Sequence, residues 1–130
     1  MGYTRYWSRT SKKVDTDLVE AVNEILDDCK VKGIIIKNGI GVREPIVEVG
    51  RIVFNGNDET ELSHETFYIT NNDVDSKFEF CKTARKPYDY AVREVLKVAE
   101  ELGYVYNVRD DGENEAIISD EEWLTTGWHE

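Results

Sequence analysis

The chain opens on a strict alternation: Tyr3, Arg5, Trp7 and Arg9 fall on one side of an extended segment, and Thr4, Tyr6 and Ser8 on the other. A period of two marks a strand, and one face of this strand carries two guanidinium groups. From Asp15 or Thr16 the period lengthens. Leu18, Val22, Ile25, Leu26 and Cys29 recur at helical spacing and Gly33 supplies a stop, which predicts an amphipathic helix laid on a sheet.

Ile34-Ile35-Ile36 reads as a short buried strand, and the Asn38-Gly39 pair after it as a tight turn. Ile46 to Val49 and Arg51 to Phe54 form strand material broken or bulged at Gly50, ending in the turn residues Asn55-Gly56-Asn57-Asp58. His64 to Thr70 alternates as a further strand, and Phe78 to Cys81 is short and strand-like. Pro87 suits the first turn of a helix, where its missing amide donor costs nothing. Tyr88, Val92, Val95, Leu96, Ala99 and Leu102 then keep helical spacing up to Gly103, and Tyr104 to Val108 returns as a strand.

Strand, helix, several strands, helix and strand predict an α+β fold. Its form is a two-layer sandwich, a mainly antiparallel sheet with the two main helices on one face. At 130 residues the chain suits a single domain, residues 1–130, with an acidic C-terminal extension at about 109–130. Ser119-Asp120-Glu121-Glu122 within that extension has the form of a capping box ahead of Trp123 and Leu124.

Charge narrows the function classes. A formal net charge of -11 argues against general nucleic-acid binding, so any anion site must be local. Cys29 and Cys81 are too few for a disulfide framework, and no Cys and His spacing resembles a zinc site, so neither a metal nor another cofactor is expected. The N-terminal residues lack the apolar run of a signal peptide and no apolar span has membrane length, which points to the cytoplasm and away from the membrane.

The densest chemistry lies in Phe80 to Asp89. Lys82, Arg85 and Lys86 stand immediately before the second helix, where free amides and the macrodipole favour an anion such as phosphate. Thr83 can donate a hydroxyl, Arg85 two parallel donors, and Tyr88 a phenol or a stacking surface; Asp89 can accept from a ribose hydroxyl or hold Arg85. The same residues also read as a solvated loop with an ordinary helix-start acid. Tyr3, Arg5, Tyr6 and Trp7 offer a second half-site, with flat rings for a base and a guanidinium for phosphate, although an aromatic strand is commonly core. His64 and Thr66 share a strand face in this reading and form one half of a phosphoesterase pattern, so they are the residues of choice if the protein were an enzyme. His129 has no matching Thr, and the paired acid and base are missing. Binding is therefore favoured over catalysis.

Gly2-Tyr3-Thr4, Asn55-Gly56, Glu65-Thr66-Phe67 and the Phe80-Cys81-Lys82-Thr83-Ala84-Arg85-Lys86-Pro87-Tyr88-Asp89 block stand in one order along the chain. In this the protein resembles a family of small, largely uncharacterised phage and bacterial proteins, from Met1 to about Leu102; the acidic tail after Val108 is not covered. Where that family commonly carries a histidine this chain has Arg5, which bears on any proton transfer there. The resemblance implies a phage or mobile-element setting, and hence a host cytoplasm. It is similar in kind to phage anti-defence sponges that sequester cyclic nucleotides or ADP-ribose-derived immune signals.

Three expectations follow. The first is non-catalytic sequestration of a small phosphorylated, nucleotide-type ligand by a homo-oligomer, through Tyr3, Arg5, Tyr6, Trp7, Lys82, Thr83, Arg85, Lys86, Tyr88 and Asp89. The second is an acidic, nucleic-acid-mimicking inhibitor of a host defence enzyme, acting through its acidic face and the tail from Asp110 to Glu130, with Asp120, Glu121 and Glu122 the acids whose neutralisation would destroy it. The third is a phosphodiesterase-like hydrolase using His64 and Thr66.

Overall fold

β1 (Thr4–Arg9) runs between β5 (Lys77–Lys82) and β6 (Val105–Asp110), antiparallel to both. β2 (Ile46–Glu48), β3 (Arg51–Phe54) and β4 (Phe67–Thr70) make a second antiparallel sheet in that order. α1 (Thr16–Val31) and α2 (Asp89–Glu101) pack against each other, α1 also against β2 and α2 against β6. These relations come from a computed structural model that describes residues 3–74 and 76–112. The α+β fold expected from the periodicities is present, with one refinement: the antiparallel strands form two three-stranded sheets rather than one.

Both helices follow from their sequences. The Asp15 carboxylate caps α1 by accepting from the amide of Asp17, and Leu18, Val22, Leu26 and Cys29 face inward. Val92, Val95, Leu96 and Ala99 do the same for α2, which begins two residues after Pro87 and has no side-chain cap. The inner face of β1 is the one that carries Arg5, Trp7 and Arg9, and all three are buried. Trp7 meets Phe67 at 5.4 Å between ring centroids and Phe67 meets Phe54 at 4.9 Å, so an aromatic seam joins the two sheets beneath the helices.

Three sequence expectations are corrected and one is narrowed. Ile34 to Ile36 is not a strand: the chain leaves α1 through a bond from the Ile34 amide to the Cys29 carbonyl and makes a single bridge, Lys37 to Asn55. At Gly50 the strand material is broken rather than bulged, one of the two forms expected there. Glu48 pairs with Arg51, so Val49 and Gly50 form a two-residue hairpin turn, and the φ of +95° at Gly50 explains the glycine. β4 starts at Phe67, which leaves His64 and Thr66 on the preceding loop. β6 runs on through Arg109 to Asp110, past the strand end expected at Val108. Asp120, Glu121, Glu122 and His129 lie outside the described residues.

Candidate functional site

The cation-rich block before α2 folds back on itself. Arg5 reaches from β1 and donates twice to Asp89, Nε to Oδ1 at 2.8 Å and Nη2 to Oδ2 at 2.9 Å, with Nη1 3.3 Å from Asp110. Thr83 Oγ1 donates to the same Asp89 carboxylate at 2.6 Å. Burial would lower the Arg5 pKa, but the Asp89 carboxylate outweighs it and the guanidinium is held above its ordinary value. The place a phosphate was expected to take is thus filled by the protein's own carboxylate.

The backbone donors are used as well. Thr83 and Ala84 amides bond to the Tyr3 carbonyl, Lys86 to the Thr83 carbonyl and Asp89 to the Lys86 carbonyl. Ala84 and Arg85 are both left-handed, with φ of +55°, so two successive non-glycine residues are strained to close this loop. Arg85 lies over the Tyr3 ring at 4.3 Å. Tyr88 is buried and donates to the Glu65 carbonyl at 2.5 Å, and burial raises its phenol well above the ordinary value. Of the ten residues expected to bind ligand, Tyr3, Arg5, Trp7, Thr83, Tyr88 and Asp89 are therefore interior. Arg85 and Lys86 are half-buried on the loop, and Tyr6 and Lys82 belong to the outer side of the first sheet.

That outer side carries an arrangement the sequence did not reveal. Phe78 and Phe80 from β5 are about half exposed, at 51% and 48%, and Tyr106 from β6 is 40% exposed. Tyr6 stacks on Phe78 with centroids 6.1 Å apart and planes 22° apart, and Phe78 meets Phe80 at 6.1 Å. Arg109 lies 5.4 Å from the centre of the Tyr6 ring and 5.8 Å from that of Phe78. Tyr106 and Arg109 are three apart and would point to opposite faces of a regular strand. A bulge brings them together: Ser8 pairs with Tyr106 and Tyr6 with Arg109, while Asn107 takes a φ of +56°. The helices cover the opposite face, so this row of rings with a cation above it is open.

The two residues expected of a hydrolase lie on the loop before β4. Thr66 donates its hydroxyl to the Gly39 carbonyl at 2.7 Å, and His64 is exposed on the loop, its backbone held by the Asn55 side chain. Burial pushes both thiols, Cys29 and Cys81, up to about 12, so they are protonated at neutral pH and poor nucleophiles. Among the described residues no cluster of His, Cys, Asp and Glu could hold a metal, and no helix is long and apolar enough to cross a membrane. A hollow of about 670 Å³ between α1 and residues 34–47 is lined by none of the expected binding residues.

No family model, no characterised protein and no solved structure matches this chain in comparison with known proteins.

Proposed function

We propose that the protein is a non-catalytic binding module for a small phosphorylated, nucleotide-type ligand, and that the ligand sits on the open aromatic face of the first sheet. The observation that carries this reading is the row of exposed Phe80, Phe78 and Tyr106 with half-buried Tyr6 among them and Arg109 over two of its rings. Flat bases gain from stacking on such rings without needing a particular edge pattern, and a neighbouring guanidinium or ammonium neutralises phosphate. Lys82 is exposed two residues beyond Phe80, and so on the same face of β5.

One face binds a ring from one side only. A second copy closing over it would supply the other side, and this supports the homo-oligomeric sponge: retention of a cyclic nucleotide or ADP-ribose-derived immune signal in a phage setting, with no turnover. Titration calorimetry against a panel of those compounds is the direct test. At least one should bind, be recovered unchanged after denaturation, and lose affinity in Tyr6→Ala and Arg109→Glu. Absence of binding to every member rejects the reading.

A further inference from the structure

β4 and β5 are consecutive strands joined by residues 71–76, yet they do not pair; each is the edge of its own sheet. They touch at one end, where the Glu65 amide donates to the Lys82 carbonyl at 3.1 Å and the Lys82 amide to the Glu65 carboxylate at 2.7 Å. Toward the other end only a side chain spans the split: Arg9 Nη1 donates to the Thr70 carbonyl at 2.7 Å and stands 3.9 Å from Glu79. Between these ties lies a groove of about 400 Å³, lined by Trp7, Glu65, Thr66, Tyr68, Lys77, Phe78, Glu79 and Phe80.

Hydrogen-bond alternation shows which backbone groups face that groove. In an antiparallel pair, every second residue directs its amide and carbonyl away from the partner strand. Lys82 spends both groups on Glu65, so it turns away from β1, and Phe80 and Phe78 turn the same way. On β4 the Asn71 amide bonds to the Gly50 carbonyl, which places Thr70 and Tyr68 with their groups away from β3. Tyr68 on one side and Phe78 and Phe80 on the other thus present backbone donors and acceptors across the gap, and among the described residues none of the three is bonded across it. Glu79 is already paired with the Lys77 ammonium at 3.5 Å and the Arg9 guanidinium at 3.9 Å and accepts from the Trp7 indole, which leaves the exposed Glu65 as the carboxylate open to an incoming cation, in a chain of net charge -11.

We infer that this split is a strand-addition site, which takes a short extended segment of another protein bearing lysine or arginine. The segment exchanges backbone hydrogen bonds with Tyr68 on one edge and with Phe78 and Phe80 on the other, and its cation meets Glu65. Insertion joins the two sheets into one. This site uses main-chain groups and is independent of the ring stacking proposed above.

The experiment is amide hydrogen exchange by NMR on the full chain, alone and with two capped probes, Lys-Val-Thr-Val-Lys-Val and its register-shifted form Val-Lys-Val-Thr-Val-Lys. In the free protein the amides of Tyr68, Phe78 and Phe80 should exchange fast while those of Ile69 and Glu79 are protected. A bound probe should slow the first three by at least tenfold, and backbone N-methylation of the probe or replacement of its lysines by glutamate should abolish this. Phe80→Pro, which removes one donor from an edge position, should weaken probe binding, whereas Arg109→Glu should not. Three results overturn the inference: protection of the three amides in the free chain, which means that its own tail or a second copy already fills the split; failure of both probes to bind; and binding that protects amides elsewhere.

Discussion

Arg5 and Asp89 are 84 positions apart in sequence and meet through two parallel hydrogen bonds, fully inside the protein. A fork-to-fork pair of this kind is strong only while both partners are present. Asp89→Ala takes the two parallel acceptors from a buried guanidinium, and should cost about 3–5 kcal/mol in urea unfolding. The double variant Arg5→Met with Asp89→Leu should recover much of that loss, because it removes the stranded charge.

Alkali should destabilise the fold. Burial pushes Cys29 and Cys81 from 9.0 up to about 12, and burial with a hydroxyl bond to Asp15 pushes Tyr104 from 10.0 up to about 12. These folded-state values are raised, so the stabilisation is full below the unfolded values of 9.0 and 10.0 and is lost as pH rises toward 12. Melting temperatures measured from about pH 8 to about pH 11 should fall steadily, since the unfolded chain then binds fewer protons than the folded one. Cys29→Ala should flatten the early part of the fall.

Gly56 admits no side chain. A Cβ there would stand 2.0 Å from the Leu62 carbonyl oxygen and 3.0 Å from the Tyr88 ring. Gly56→Ala should therefore cost about 1–3 kcal/mol by overpacking, and thermal unfolding would show it. Asn55 shares the burden, since its side chain ties Gly39, Gly56 and His64 together.

Phe78→Ser and Phe80→Ser should separate binding from stability. Both rings are about half exposed, so their loss should lower the unfolding free energy by only about 1–2 kcal/mol and leave the chain folded. Ligand affinity should fall by at least about tenfold in each, given about 1–3 kcal/mol for stacking per base. Calorimetry and denaturation on the same preparations check both parts.

Element types were largely legible in the sequence because helix and strand differ in period. Leu18, Val22, Leu26 and Cys29 announce α1, and Val92, Val95, Leu96 and Ala99 announce α2. Ile34 to Ile36 misled because three successive β-branched residues satisfy the strand pattern without a neighbour to pair with, and here only Lys37 finds one. The interior position of Arg5 was hidden for a different reason. Alternation identified its face as shared with Trp7, but its charge argued for an external anion, and the partner that decided the matter lies on a distant helix. Tyr106 and Arg109 could not be grouped in advance, because the bulge at Asn107 breaks the parity by which faces are read. The tight cluster from Lys82 to Asp89 was recognised as special, but its strain closes a loop rather than opening a cradle.

β1 is made well before the two strands that flank it. It is the middle strand of its sheet, and its two neighbours, β5 and β6, begin at Lys77 and Val105. On the ribosome, β1 must therefore wait for nearly all of the described chain that follows it before Arg5, Trp7 and Arg9 find their surroundings. Such long-range closure slows folding and leaves a sticky, charged N-terminal segment uncovered during synthesis, which makes this the stage at which chaperones have most to do.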